Sequence, residues 1–353
     1  MGRGTTAHGK PLEGDERDAF IARLIIGRSV AIQNVIALVR QVALHPSTPV
    51  LLQGESGTGK EVIAHAIHEL SGRAAHQFVP INCAAIPETL LETELFGVEA
   101  GAFTDAVARE GHILRANGGT FFLDEIGSMP MLLQAKLLRF LETLSFRRVG
   151  GTKEIHVDLR IISATNLDLQ AAVLHKTFRD DLFYRLKVIT IYLPPLRERT
   201  EDIELLADYF MSLYSIEGQE PLRLDADALQ CLLRYPWPGN VRELRSAILY
   251  GQIMCDHGLI KPKDLPEVVR TVGTAASQRL REIQQQLHLP PEGLNLPDFL
   301  GTIEASFMQE ALQRCNGNQV RAAALLGISR DQLRYRLSAR KVAVTVPFTT
   351  SGS

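Results

Sequence analysis

A glycine-rich segment at residues 54–60 carries the side chains best suited to chemistry. It follows an apolar run and opens a helical pattern. Glycines let a backbone fold tightly around phosphate, and successive N–H groups together with a helix N-terminus supply positive potential. A lysine at the end of such a loop reaches the β and γ phosphates of ATP. The segment therefore predicts an ATP-binding loop made of Gly54, Glu55, Ser56, Gly57, Thr58, Gly59 and Lys60.

The residue after this loop bears on how Mg²⁺ would be held. Glu61 stands where the general motif has a Ser or Thr whose hydroxyl binds the metal. We therefore expect Mg²⁺ to be held by Thr58, by water or by a second motif, and Glu61 remains part of the predicted nucleotide site.

The second motif is an apolar run at residues 119–123 that ends in Asp124 and Glu125. Asp124 would hold Mg²⁺, directly or through water, and Glu125 would polarise the attacking water. An Asp-Glu pair at the end of a strand is commonly a helix cap instead. Its position about 60 residues after the phosphate loop favours the catalytic interpretation and predicts ATP hydrolysis.

Composition limits the class of protein. The 353 residues are 45% hydrophobic and 22% charged, as in ordinary globular proteins. The sequence has neither an apolar run of about 18 residues nor a secretory signal pattern at its start, which predicts a cytoplasmic protein without a membrane contact. Its four cysteines are scattered singly, and this spacing argues against a metal centre or a disulfide framework.

The elements that must position these motifs follow an alternating pattern. Short apolar runs alternate with amphipathic stretches from residue 24 to about 196, and this alternation predicts a parallel α/β sheet with helices on both faces. The predicted strands are 49–53, 78–82, 119–123, 159–164 and 188–193, and helices are predicted at 61–70 and 131–144.

The rest of the chain divides by composition. We predict a flexible tail at 1–22, the α/β subdomain at 23–197, a small helical subdomain at 198–268, a Pro- and Gln-rich linker at 269–297, a helical domain at 298–343 and a second tail at 344–353. No sensory domain fits in the first tail.

The last predicted domain has the proportions of a helix-turn-helix. Helical patterns at 319–326 and 330–339 flank a turn at Gly327, and residues 301–345 carry seven basic side chains against three acidic ones. An apolar stripe at Phe299, Ile303, Phe307 and Ala311 could pair two subunits. A run of basic residues alone more often forms a solvent-exposed face, but the basic residues and the helix-turn-helix pattern together predict DNA binding. Base edges would meet Gln332, Arg334 and Tyr335, and phosphates would meet Arg330 and Arg336.

Several strings of residues resemble the AAA+ domain of the bacterial enhancer-binding proteins, which activate RNA polymerase carrying the sigma-54 factor. The resemblance covers about residues 25–268, and the C-terminal segment is similar to the Fis-type helix-turn-helix that closes most members of that family. The strings are GESGTGKE at 54–61, NCAA at 82–85, ELFGVEAGAFT at 94–104, FFLDEI at 121–126, SATN at 163–166, FRDDL at 178–182, LPPLRER at 193–199 and WPGNVREL at 237–244.

The resemblance implies roles for further residues. Arg179 and Arg185 match arginine fingers that reach the phosphates held by a neighbouring subunit, which implies a ring, expected to be a hexamer. From the residues alone, Arg185 fits an i,i+4 ion pair with Asp181. The remaining matches are Thr165 and Asn166 as the first sensor, Arg242 as the second sensor, Asn82 as a restraint on Glu125, and Ile26 with Gly27 as the adenine contact.

A surface loop in this family contacts sigma-54 at its tip. The matching residues are Gly101, Ala102, Phe103, Thr104, Asp105 and Ala106, and Asp105 replaces a glycine of the family pattern. The expected function is a DNA-binding activator that uses ATP to open the closed complex of sigma-54 RNA polymerase from an enhancer. The alternative is a DNA-binding regulator that assembles with nucleotide but does not engage sigma-54. A regulatory protein acting in trans is a further expected partner.

Overall fold

The computed structural model describes residues 14–103, 107–214, 222–256, 258–271, 295–315, 317–328 and 330–339. The chain falls into two compact units that divide between Ser277 and Gln278. The helices are α1 Gly14–Leu24, α2 Val30–Ala43, α3 Lys60–Glu69, α4 Glu88–Phe96, α5 His112–Arg115, α6 Met131–Thr143, α7 Leu169–Leu174, α8 Asp180–Leu186, α9 Glu201–Leu213, α10 Ala226–Arg234, α11 Asn240–Met254, α12 Glu267–Thr271, α13 Leu296–Arg314, α14 Gln319–Leu325 and α15 Arg330–Ala339. The strands are β1 Val50–Gln53, β2 Phe78–Asn82, β3 Gly97–Val98, β4 Arg109–Glu110, β5 Thr120–Asp124, β6 Ser145–Phe146, β7 Ile155–His156, β8 Arg160–Thr165, β9 Ile189–Tyr192, β10 Arg223–Leu224 and β11 Leu259–Ile260, and short 3₁₀ turns occur at Ile126–Ser128, Leu196–Glu198 and Pro262–Asp264.

A five-stranded parallel sheet forms the centre of the first unit, in the order β2-β5-β8-β1-β9. Each strand lies within one residue of its predicted segment, and the predicted α/β fold is confirmed. Asn82 pairs in register with Asp124, and Gln53 pairs with Thr165. Since the strands are parallel, their carboxyl ends place the residues that follow them at one edge of the sheet.

The two faces of the sheet bury separate cores, because side chains alternate along each strand. Leu51 and Leu123 face a core shared with α4, α6 and α8. Leu52 and Phe122 face the opposite core, which α1, α2 and α3 cover. Helices on both faces explain why the central strands β1, β5 and β8 are buried at nearly every residue.

Helix α1 corrects the predicted tail at 1–22. The chain is helical from Gly14, and Ile21 and Ile25 are buried in the core beneath α2 and α3. Phe20, Ile21, Leu24 and Ile25 share one helical face, and its burial stabilises a helix that has few local signals of its own. The part of the predicted tail before Gly14 lies outside the described residues.

Helices α9–α12 form the helical subdomain, called the lid below. Its core holds Trp237, which is fully buried and donates its indole N–H to Leu232 O at 2.8 Å. The lid differs from the predicted all-helical pattern in one respect, because β10 and β11 pair in parallel. It also extends past the predicted boundary at 268, because Val269 on α12 is buried in the lid core. Residues 272–294 of the predicted linker lie outside the described residues.

Helices α13, α14 and α15 form the described part of the second unit around Met308, Leu312 and Leu333. Gly327 has φ +67° in the turn between α14 and α15, a left-handed conformation that favours glycine. Ala311, predicted on a stripe that pairs subunits, is buried in this core instead, whereas Phe307 on the same helix is exposed.

Two properties predicted from composition can be checked in the described parts of the chain. All four cysteines are free thiols. No helix there has the length and apolarity needed to cross a bilayer.

We predict that Ile21→Ala destabilises the first unit although this position was expected in a tail. Removing a buried isoleucine side chain from a packed core costs about 2–5 kcal/mol, so the melting temperature measured by circular dichroism should fall by several degrees. Ile253→Ala is the matched control, because Ile253 is 70% exposed on α11 and its truncation should leave the melting temperature nearly unchanged. Equal melting temperatures for the two variants would contradict the packing of α1.

Candidate functional site

The predicted phosphate loop connects β1 to α3. Gly57 and Gly59 adopt left-handed conformations with φ +79° and +107°. Lys60 begins α3, and its Nζ donates to Gly54 O at 2.8 Å and to Glu55 O at 3.2 Å. Burial lowers the pKa of Lys60, and the nearby Glu125 and Asp124 carboxylates oppose that shift. The loop therefore encloses its lysine within its own backbone turn.

A cleft of about 500 Å³ opens beside this loop, a size typical of small-molecule sites. Its polar end is lined by residues 56–61, Asp124, Glu125 and Arg242. The rest of the lining includes Ile26, Val62 and Ile63 together with apolar side chains of the lid such as Leu206 and Phe210. A lining that combines charged and apolar groups suits a ligand that carries both a charged group and an apolar ring.

Not every predicted nucleotide residue lines this cleft. Gly54 and Glu55 belong to the phosphate loop but do not line the cleft. Four other predicted residues are also absent from the lining: Gly27, Asn82, Thr165 and Asn166. The lining includes Tyr209, Arg199 and Arg245, which were not predicted. The lid residues were not predicted, because an apolar stripe on a helix does not indicate which of its side chains face a ligand and which face the core.

Glu125 occupies a strained position at the polar end. Its backbone is left-handed, with φ 50° and ψ 47°, and such a conformation costs a non-glycine residue about 1–3 kcal/mol. The turn brings Glu125 Oε1 to 4.0 Å from Lys60 Nζ, and Oε2 accepts from Asn166 N at 3.4 Å. The carboxylate is thus held between the phosphate loop and the end of β8.

Asn82 contacts a different carboxylate from the one predicted. Its Nδ2 donates to Asp124 Oδ2 at 3.2 Å rather than to Glu125. Its Oδ1 accepts from Ala84 N at 2.9 Å and Ala85 N at 3.1 Å, so the alternative role in a strand-end turn is also present. The contact with Asp124 follows from the strands, because the two residues are register partners.

The residues at the polar end fit Mg²⁺ bound jointly with phosphate. Mg²⁺ keeps several waters and typically takes one or two carboxylates plus phosphate oxygens, and Asp124 supplies such a carboxylate. The described residues contain no cluster of three or more His, Cys, Asp or Glu that would form a site from protein alone. Thr58 is buried, and its hydroxyl donates its proton to Glu55 O at 2.8 Å, which leaves the oxygen lone pairs that a metal would use.

Arg179 and Arg185 lie outside the cleft. Arg179 forms a bidentate pair with Asp181, at 3.0 Å from Nε and 2.7 Å from Nη2, and this pair raises the pKa of Arg179. Arg185 Nη2 donates instead to Leu141 O at 3.0 Å. The predicted ion pair of Arg185 with Asp181 is therefore wrong, because Asp181 at the start of α8 faces back toward Arg179.

Asn240 joins the lid to the phosphate loop. It is fully buried, with φ 52°, and its Nδ2 donates to Glu55 Oε2 at 3.1 Å and to Ser56 O at 3.0 Å. Its Oδ1 accepts from Leu196 N at 2.8 Å. Close by, Val241 N donates to Gly57 O at 3.0 Å. One side chain thus connects the loop, the segment before the lid and the first turn of α11.

Three arginines reinforce this junction. Arg197 binds both carboxylate oxygens of Glu55, at 2.8 and 2.6 Å, and with Asn240 it lowers the pKa of Glu55 to about 2. The buried Arg199 donates to Thr58 O at 3.0 Å. Arg242 Nη1 reaches Ser56 Oγ at 3.1 Å. The sequence predicted no role for Asn240, Arg197 or Arg199. The only local signal for the two arginines is their charge beside the apolar Pro194-Pro195-Leu196 segment.

Asp202 on α9 fixes the segment predicted to contact adenine. Its fully buried carboxylate accepts from Arg28 N at 2.6 Å and from Ser29 N and Oγ at 2.8 and 2.7 Å. A Cβ added to Gly27 would lie 2.8 Å from Asp202 Oδ2. The close approach explains why glycine follows Ile26, which lines the cleft.

The predicted surface loop begins on a short antiparallel stem of β3 and β4. Gly101 has φ +77°, and Phe103 is 56% exposed. Thr104, Asp105 and Ala106 lie outside the described residues. A large aromatic side chain that is exposed beside a glycine turn is suited to contact with a partner.

The second unit presents a basic helix surface on α15. Leu333 and Leu337 are buried, while Arg330, Gln332 and Arg334 lie on the exposed surface. Arg336, predicted to contact phosphate, forms an ion pair with Glu304 on α13. The side chain of Tyr335 lies outside the described residues.

Comparison with known proteins follows the same division of the chain. Residues 25–192 match the model of the sigma-54 interaction domain, 197–282 that of the AAA+ ATPase lid domain, and 299–339 that of the bacterial regulatory proteins of the Fis family. The chain is 46% identical over 316 residues to regulatory protein AtoC of Escherichia coli (strain K12), covering 89% of the chain and 67% of AtoC.

Two further similarities agree with this division. The transcriptional regulator NtrC of Rhizobium meliloti (strain 1021) is 39% identical over 356 residues, covering 95% of this chain and 72% of NtrC. The crystal structure of NtrX from Brucella abortus in complex with ATP is similar with a TM-score of 0.64 and 33% identity, over 92% of this chain and 72% of NtrX.

We predict that the two left-handed glycines of the phosphate loop differ in tolerance to alanine. A Cβ at Gly57 would lie 2.3 Å from Gly239 O, whereas a Cβ at Gly59 meets nothing within 4 Å. Both variants carry a backbone penalty of about 1–2 kcal/mol, and Gly57→Ala also forces the lid away from the loop. Its melting temperature should therefore fall below that of Gly59→Ala, and equal melting temperatures would contradict the close contact with the lid.

Proposed function

Because the chain belongs to the family of sigma-54-dependent transcriptional activators with a DNA-binding helix-turn-helix, we propose that it hydrolyses ATP to convert the closed complex of sigma-54 RNA polymerase into the open complex. The observation that carries this proposal is the convergence of Lys60, Asp124, Glu125 and Arg242 on one cleft. NtrX, 32–33% identical to this chain, was crystallised with ATP and with ADP, which supports nucleotide binding.

Each side chain at the polar end has a proposed task. Lys60 and the loop N–H groups bind the β and γ phosphates, and Asp124 holds Mg²⁺, which neutralises phosphate charge when bound. Glu125 accepts a proton from the attacking water, and its position is maintained by Asn166 N. Arg242, already 3.1 Å from Ser56 Oγ, binds the phosphates from the lid side. The strain stored at Glu125 is typical of a residue held for chemistry.

Arg179 and Arg185 are proposed to act on another copy of the chain. Both lie outside their own cleft and on or near the surface. A planar guanidinium that follows charge over the phosphoryl oxygens of a neighbouring site would complete that site in a ring, here proposed as a hexamer. To bind phosphate, Arg179 would break its ion pair with Asp181 and form a new one with the phosphate of the neighbouring copy.

The remaining proposed contacts involve the partner macromolecules. Phe103 contacts sigma-54 from the tip of its loop, and α15 binds enhancer DNA through Arg330, Gln332 and Arg334. Phe307, 54% exposed on α13, is proposed to pair two copies. A glycine-to-acid replacement at Asp105 favours a second candidate function, a DNA-binding regulator that assembles with nucleotide without engaging sigma-54.

Two substitutions distinguish ATP hydrolysis from the opening of the promoter complex that hydrolysis is proposed to drive. Glu125→Gln removes the proton acceptor, and we expect ATPase activity to fall by about 10²- to 10⁴-fold while ATP still binds.

Phe103→Ala should keep ATPase activity yet abolish ATP-dependent open-complex formation, measured by permanganate footprinting with purified sigma-54 polymerase. Val30→Ala, at a position 76% exposed on α2, serves as the control. A wild-type chain that hydrolyses ATP but never opens the promoter would support the second function.

DNA recognition is tested separately. We expect Arg334→Ala to weaken binding to a DNA site, isolated by selection from a random library, by about 1–3 kcal/mol. ATPase activity should be unchanged, because the substitution lies in the second unit. Arg314→Ala on α13, which pairs with Glu310, is the matched control. Fluorescence anisotropy that shows equal affinity for both variants would remove Arg334 from the interface.

A further inference from the structure

Glu55 holds three separate segments together although it does not line the cleft. Its carboxylate accepts two hydrogen bonds from Arg197, in the segment before the lid, and one from Asn240 at the start of α11. Arg197 lies 142 residues away along the chain and Asn240 lies 185 residues away. A bidentate arginine–carboxylate pair fixes direction as well as distance. The carboxylate is therefore a junction between the phosphate loop and the lid.

The main chain of the same residue contacts the phosphate-binding side. Glu55 O accepts from Lys60 Nζ at 3.2 Å and from Thr58 Oγ1 at 2.8 Å. Phosphate oxygens are stronger partners for an ammonium group than a backbone carbonyl is. Phosphate in the loop would thus draw Lys60 away from Glu55 O. Because its carboxylate is tied to Arg197 and Asn240, any movement of this residue is passed to the lid.

We propose that Glu55 is a positioning residue that couples phosphate in the loop to the placement of the lid, and thereby sets how long a nucleotide stays in the cleft. The inference rests on the proposed ATPase function. The lid supplies Leu206, Phe210 and Arg242 to the cleft, so the cleft cannot open on that side while Glu55 holds both Arg197 and Asn240. Opening requires these hydrogen bonds to break together.

The test uses the full chain with Glu55→Gln, which keeps the size of the side chain and removes its charge. Release of ADP labelled with a fluorescent N-methylanthraniloyl group is followed by stopped flow after a chase with unlabelled ADP. We expect release to become about tenfold faster, the loss expected for charge-assisted hydrogen bonds. The KM for ATP should rise by a larger factor than kcat changes, whereas a protein that is merely less stable would lose kcat at an unchanged KM.

A second variant tests the junction itself. Asn240→Ala should also speed release, and the double variant Glu55→Gln with Asn240→Ala should be no faster than the faster single variant, because both remove one shared connection. Arg197→Lys, which keeps the charge but loses the bidentate geometry, should give an intermediate rate. Glu310→Gln is the matched control, because it makes the same chemical change in the Arg314 pair of the second unit.

The outcomes are distinguishable. Release within twofold of the wild-type rate, additive effects in the double variant, or a loss of kcat that follows only a lower melting temperature would each overturn the inference while leaving the ATPase intact. A wild-type chain that neither binds labelled ADP nor hydrolyses ATP would overturn the proposed function itself, and the inference with it. If Asn240→Ala fails to fold, the release rate of Glu55→Gln alone decides.

Discussion

The buried amide of Asn240 is the interaction on which the site depends. A primary amide removed from water must satisfy its donors and its acceptor, and an unmade hydrogen bond there costs about 1–3 kcal/mol. Asn240 meets this requirement with partners in three places: the Glu55 carboxylate, the carbonyl of Ser56 and the N–H of Leu196. The left-handed backbone at Asn240 is maintained because these partners fix the side chain. The contact between loop and lid thus depends on a side chain that does not itself line the cleft.

Much of the α/β architecture could be predicted from local pattern. Strands buried on both faces appear as continuous apolar runs, so the boundaries of β1, β2, β5, β8 and β9 agree with the predicted segments to within one residue. The parallel sheet then brings Asp124 and Thr165 to one edge with Asn82 and Gln53. Glycine spacing identified the phosphate loop for the same reason, since φ beyond +70° at Gly57 and Gly59 restricts residue type.

The rest depends on contacts between residues distant in sequence, and no local pattern encodes them. The partner of Asn82 is Asp124 because of strand register, and Asp181 turns to Arg179 because it begins a helix. Helix α1 lacks strong local signals and exists because Ile21 is buried against α3. The Glu55 junction joins residues more than 140 positions apart in the chain. The motifs that contain these residues indicated a family, but they did not indicate which residues contact each other.

Trp237 gives the lid an optical property. It is the sole tryptophan of the chain, its indole is fully buried against α10, and it lies three residues before Asn240. An indole shielded from water emits at shorter wavelength than one in contact with it, and here no other indole contributes to the emission. The protein therefore contains its own fluorophore in the lid core, and exposure of that core to water can be observed without attaching a dye.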